Sequence, residues 1–424
     1  MGHWRDSLQP DPELVKIFYG WRMTAAACGI QFLLAALLMQ SFGLYIAALS
    51  DELGWSKTAL SGAAALQSVE AAIIGPVLGW VVDRFGPQSM IRWGMVIFGM
   101  GLLSLSQIDT LTGFYVSAIL MAIGTSLCGY FPLSVALVQW FERYRARALS
   151  IMSLGLAMGG LAVPVVAWAM QSFGWRAAAL GSGVVAIVVG IPMARIIRRR
   201  PEDHGEFIDG IAPIVSNTPL QEDSGKQPIV HEFTAKEALR TQAFWMLAIG
   251  HGLALLVVTA VNVHAITHMK EGLGYSVSEA GLVIMLMTVG QMGGVLLGAS
   301  MGDRYDKRVV SALCMVSHMV GLLCLTYATH VSALAAFAAF HGVAWGLRGP
   351  FMQAIRADYF GRNAIGMILG LSAAIIAVGQ VAGPMVAGML ADLTGNYRLG
   401  FTLLALVAGL GSLSFMLAKK PQRN

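Results

Sequence analysis

Charge is the scarcest property of this chain. Only 12% of its 424 residues are Asp, Glu, Lys or Arg, and 56% are hydrophobic, whereas soluble domains carry roughly 25% charged residues. That shortage excludes a water-soluble globular protein, since so apolar a chain needs lipid around it. Cysteine is scarce too, and Cys28, Cys128, Cys314 and Cys324 all fall inside apolar runs without metal-ligand spacing. Neither a disulfide framework nor a metal site is expected. The sequence has no Walker-type phosphate loop and no His-Glu-x-x-His, so ATP-driven transport and metalloproteolysis are not the expected chemistry. With no cluster of catalytic polar residues and no folded soluble domain, neither an enzyme nor a membrane receptor is the leading reading. No cofactor is called for.

What the chain has is apolar runs of spanning length. Twelve stretches of about 20 residues are long enough to cross a hydrocarbon core: 22–48, 57–82, 90–107, 112–138, 146–170, 176–195, 242–266, 278–301, 309–328, 332–356, 364–390 and 398–418. The polar residues 1–21 do not resemble a cleavable leader, so the first run is expected to be retained. With the N-terminus inside, 23 of the 28 Lys and Arg fall in inside segments, Arg356 and Arg362 being assigned to the loop after span 10. Lys57, Arg176, Lys270 and Arg398 fall outside, and Arg348 lies within a span. This positive-inside bias predicts two cytoplasmic termini in a cell membrane, with a bacterial inner membrane as the expected host. Basic residues meeting anionic headgroups account for the net charge of +5, with no nucleic-acid partner.

A repeat organises these spans. Gly79-Trp-Val-Val-Asp83-Arg84-Phe-Gly86 and Gly302-Asp303-Arg304 each close an apolar run, with Asp83 and Asp303 220 residues apart. Phe141 echoes Phe360 at 219 and Gly174 echoes Gly395 at 221. A constant offset near half the length implies two copies of one unit in parallel. The expected architecture is therefore all-α: two six-helix bundles, 22–195 and 241–418, joined by a cytoplasmic linker, 196–240, with tails 1–21 and 419–424. The linker opens on Arg198-Arg199-Arg200-Pro201, passes through polar sequence from Pro213 to Pro228, and ends on a short helical pattern near Ala235. Gly79, Asp83, Arg84, Gly86, Asp303 and Arg304 are candidate gating residues. A carboxylate at such a turn can accept from Arg84 or from a helix N-terminus in the other half.

The Gly79/Asp83/Arg84/Gly86 pattern resembles the loop between spans 2 and 3 of the major facilitator superfamily. Phe18-Tyr-Gly20-Trp21, Glu52-Leu-Gly54-Trp55, Trp140-Phe141 and Asp358-Tyr-Phe360-Gly361 are similar to the monocarboxylate-transporter-like group, including oxalate/formate antiporter-type members. Gln88 stands where a basic residue is common in the superfamily. The resemblance implies a monomeric secondary transporter with spans 1, 4, 7 and 10 around a central cavity.

Few polar residues lie at membrane depth. Arg348, in span 10, is costly to bury without compensation, at least ~2.5 kcal/mol, and its planar fork suits a carboxylate. His341 and Trp345 share its helix face. Glu70, in span 2, carries a proton, balances Arg348, or is a protonated Glu satisfied by a neighbouring hydroxyl. His251 and Asn262 in span 7, with Tyr130 and Gln31, are further candidate liners. Oxalate exchangers carry extra cations in spans 8 and 11, where this chain has Thr288, Gln291, Ser372 and Gln380. A single intramembrane Arg fits a monoanion better than a dianion. The expected function is alternating-access transport of a small organic anion, a monocarboxylate above all, by proton symport or exchange. Efflux of an amphiphilic cation or neutral compound, with Glu70 as the binding charge, is the alternative.

Overall fold

A computed structural model describes residues 18–55, 60, 70, 74–211 and 233–422. Residues 1–17, most of the second span and the linker stretch from Pro213 to Pro228 lie outside them. Every regular element among the described residues is helical, as lipid demands, because a backbone polar group there must find its partner within its own segment. In chain order the spans are α1 (Tyr19–Leu53), α2 (described over 74–85), α3 (Pro87–Leu105), α4 (Leu111–Trp140), α5 (145–173), α6 (175–196), α7 (Gln242–Gly272), α8 (Val277–Met301), α9 (Lys307–Thr326), α10 (Val331–Phe360), α11 (Ile365–Thr394) and α12 (Arg398–Leu417). They form two six-helix halves, as the repeat predicted.

Local chemistry sets the breaks. Gly86 (φ +82) and Gly174 (φ +81) adopt backbone angles closed to most side chains and turn α2 into α3 and α5 into α6 within a single residue. Ser276 and Glu279 form a reciprocal capping box at the start of α8, and Asp306 caps α9 through Arg308 N at 2.8 Å.

Contacts repeat between the halves. In the first, α1 packs on α5 and α3 on α4 and α6; in the second, α7 packs on α11 and α9 on α10 and α12. Large apolar side chains such as Trp93, Phe173, Leu313 and Leu393 remain exposed, making the belt that lipid covers. The halves meet through α5 with α8 and α10, and through α11 with α2 and α4. From Gly361 onward the turn into α11 matches the turn into α5 from Phe141 at an offset of 220. Trp140 is thus the structural partner of Phe360, where letter matching gave 219.

The described start of the linker is docked. Asp209 accepts backbone hydrogen bonds from Glu142, Arg143 (2.8 Å) and Tyr144 in the turn before α5. The expected short helix is present at Ala235–Leu239, with a Thr234–Glu237 capping box.

Candidate functional site

The gating residues gather at one end of the bundle, called here the charged end. Asp83, at the end of α2, accepts from Gly366 N at 3.0 Å and Met367 N at 2.8 Å, the first amides of α11. Asp303, after α8, accepts from Ala146 N at 2.8 Å and Arg147 N at 3.2 Å, the first amides of α5. Each carboxylate thereby caps a helix of the other half, where unsatisfied N–H groups and the helix dipole favour negative charge. Of the two partners open from sequence, the helix N-terminus is the one used. Arg84 is exposed and lies over the Trp80 and Phe85 rings at 5.5 and 5.8 Å, and Arg304 is exposed as well. Gly79 lets α2 and α11 approach, since a Cβ there would lie 2.5 Å from the Gly366 carbonyl oxygen. Burial pushes the Asp303 carboxyl above its ordinary range, against the pull of the two amides and of the Lys307 and Arg147 charges.

Further bonds tie the halves together at this end. Asp358 pairs with Arg145 of the first half and, at 2.9 Å, with Lys307 of its own half. Gln139 Nε2 donates to Arg362 O at 2.8 Å while Arg362 Nη1 donates to Gln139 O at 2.9 Å. The second Arg362 nitrogen, Nη2, reaches Glu202 of the linker at 2.9 Å.

Deeper in the bundle a cavity of about 300 Å³ is lined by Gln31, Glu70, Ser126, Tyr130 and, from the second half, Ala373. Ser126 Oγ donates to Glu70 Oε2 at 3.0 Å, while Oε1 is buried without a partner. Tyr130 accepts from Ser153 Oγ at 3.4 Å and lies within electrostatic reach of Arg348. Arg348 is wholly buried in α10, its Nε and Nη1 have no hydrogen-bond partner, and it forms no ion pair among the described residues. A buried guanidinium without a compensating partner is expensive.

The other expected liners separate. His251 is buried on α7 with Nδ1 unpartnered, within reach of the Arg348 and Arg356 charges. Trp345 is half-buried and Asn262 exposed. His341 turns toward α9, with Nδ1 3.2 Å from His318 Nδ1.

Two groups escaped sequence reasoning. Arg356, assigned above to a loop, is wholly buried in α10, with Nη1 on Met352 O at 2.7 Å and Nη2 on Leu247 O at 3.1 Å. The bundle therefore holds a second buried guanidinium, which corrects the count of one intramembrane Arg. Its spacing of eight residues from Arg348 was the available signal, masked by its place at the predicted end of the span. His318 carried no signal, because only the pairing of α9 with α10 brings it to His341.

The family model of the Major Facilitator Superfamily matches the chain over residues 27–264 and again over 247–424. The chain is 22% identical over 400 residues to monocarboxylate transporter 13 of Bos taurus, covering 93% of this chain and 88% of that one. It is 24% identical over 410 residues to a probable hexose phosphate transport protein of Chlamydia trachomatis serovar D, covering 90% and 86%. Its fold is similar to the crystal structure of the human organic anion transporter MFSD10, with TM-score 0.71 and 13% identity, over 96% of this chain and 100% of that one.

Proposed function

This chain belongs to the major facilitator superfamily and is a membrane transporter, and on that premise we propose that it moves a small organic anion, a monocarboxylate, by alternating access. The observation that carries the proposal is Arg348, wholly buried with two nitrogens unpartnered and within electrostatic reach of Tyr130 in the cavity lining. Arg356 adds positive charge, yet both of its terminal nitrogens donate to carbonyl oxygens. Arg356 keeps only its Nε without a partner, whereas Arg348 has both Nε and Nη1 to give, and one carboxylate is the charge that matches such a fork. The half-buried Trp345, one turn away, favours an apolar or aromatic acid. The names of the two relatives and of the structural neighbour, all carriers of anions by their titles, support the same substrate class.

In this reading the charged end faces the cytoplasm, because the basic residues concentrate there, and the state described is closed on that side. Rocking of the halves would expose Arg348 to each side in turn. Glu70 lies in the wall of the same cavity, its Oε2 held by Ser126.

A thermal-shift screen of the purified protein across monocarboxylates, dicarboxylates and amphiphilic cations tests the proposal. Monocarboxylates should stabilise the protein, Arg348→Lys should weaken that effect at least tenfold in concentration, and Arg348→Ala should abolish it. Wild-type affinity in folded Arg348→Ala overturns the assignment.

A further inference from the structure

Between α9 and α10 lies a buried pair of imidazoles that the reading above does not use. His318 and His341 are both wholly inaccessible, their ring centroids are 4.5 Å apart, and their Nδ1 atoms stand 3.2 Å from each other. At that distance one ring donates its Nδ1–H and the other accepts, which fixes opposite tautomers. Both Nε2 atoms are buried without a partner. One Nε2 is therefore a bare acceptor and the other a bare donor, an arrangement that costs free energy unless something enters.

We propose that the His318–His341 pair is the proton-binding site that couples to the anion at Arg348. A proton arriving at the bare Nε2 turns the donating ring into an imidazolium and leaves the Nδ1–H to Nδ1 bond in place, now charge-assisted and stronger. A second proton would set N–H against N–H and break the bond. The pair thus holds one proton.

Coupling follows from the charges that face the pair. Arg348, seven residues from His341 on the same face of α10, acts on both rings. Cys314 lies one turn from His318 on α9, within reach of Arg348. His251 of α7 and Tyr130 of α4 stand near the same guanidinium, as does Arg356 on α10. The packed neighbours α8, α12 and α5 carry ionisable groups only near their first residues, namely Glu279, Arg398, and Arg145 with Arg147. No carboxylate among the described residues offsets Arg348, so its charge opposes protonation of the pair. A bound carboxylate neutralises Arg348 and removes that opposition. By linkage, the protonated pair binds the anion more tightly to the same degree. One proton then enters with one monoanion, and the loaded carrier gains no net charge. This mechanism rests on the reading of Arg348 as the anion site.

The test uses benzoate as the probe acid, with purified protein in proteoliposomes and in weakly buffered detergent. Benzoate binding should take up about one proton per molecule, and its affinity should rise with falling pH, by up to about tenfold per unit. The double variant His318→Asn/His341→Asn, whose amides stand where the two Nδ1 atoms stood, keeps the hydrogen bond between α9 and α10 but has no group left to titrate. It should flatten the pH dependence of benzoate affinity while still exchanging benzoate in counterflow, and Glu70→Gln should leave the slope intact. A wild-type slope in the double Asn variant overturns the proposal, as does benzoate binding to wild type without proton uptake. A slope lost only in Glu70→Gln overturns it in favour of Glu70. Undiminished benzoate binding by Arg348→Ala instead sinks the anion site itself, whatever the histidine variants do.

Discussion

The two copies of the charged-end contact share a backbone and differ in side chains. Asp83 on Gly366 and Met367, and Asp303 on Ala146 and Arg147, are one arrangement at an offset of 220 in every member. Around Asp303, Asp358 adds ion pairs to Arg145 and Lys307. The positions equivalent to those three on the Asp83 side hold Val138, Ile365 and Pro87. That side adds close backbone-to-backbone packing, Gly79 against Gly366 and Gly75 against Gly370, where the Asp303 side sets Gly298 and Gly302 against the Ser150 and Ala146 side chains. What the repeat keeps is the carboxylate on a helix start, which satisfies amides that would otherwise be orphaned. The means of holding the surrounding helices together has been free to diverge, with the Asp358 ion pairs added beside Asp303 and a closer backbone approach beside Asp83.

The sharpest way to break this comparison is to attack shape. Gly79→Leu puts carbon against the Gly366 backbone, which cannot yield as a side chain can, so closure of the charged end should fail. Labelling of a cysteine at Met352, which is wholly buried here, should rise by an order of magnitude or more, with transport falling in step. Unchanged labelling would mean that the glycine contact does not set the closed state.

Removing the carboxylates should have the next largest effect, and an unequal one. Asp83→Ala and Asp303→Ala each strand two amides, at about 1–3 kcal/mol per group if water does not reach them. The Asp303 variant should shift less toward the open state, because the Asp358 pairs still hold that junction. Equal shifts, read by the same cysteine, would show that the ion pairs contribute nothing to closure.

Asp358→Asn alone should do least. Its carboxylate is 29% exposed, its pair with the part-exposed Lys307 is worth about 0–1 kcal/mol, and the Asn oxygen can still accept from the buried Arg145, so the change should be at most about fivefold. Combined with Asp303→Ala, it should bring that junction down to the behaviour of Asp83→Ala. A double variant no more open than Asp303→Ala alone would remove Asp358 from the comparison.

How much of this was legible depended on which contacts are local. Spanning length, charge asymmetry and the paired Asp83 and Asp303 signatures are properties of continuous sequence, and they led to twelve helices in two halves. The capping role of those aspartates was open from sequence, and only the neighbouring half could select it over Arg84. Arg356 looked like a loop cation because it falls at the end of an apolar run, where a charge ordinarily reaches headgroups. The structure satisfies it instead with the carbonyls of Met352 and Leu247, the latter on another helix. Periodicity placed His341 on the Arg348 face, correctly as to angle, but it could not show that α9 would meet that face with His318. Likewise Gln31, Glu70 and Tyr130 come from three different spans, so their shared cavity is a fact of packing.

Gly86 carries a further consequence. Because α3 begins at Pro87, immediately after it, the segment bearing Asp83 and the helix that follows are joined by a one-residue elbow with no slack. α3 in turn is packed along α4 and α6. Pulling Asp83 off the start of α11 therefore cannot bend one span aside; it acts as a crank on the whole six-helix body. Two hydrogen bonds at the rim can thus bear on the placing of half the molecule, as a catch on a stiff lever does.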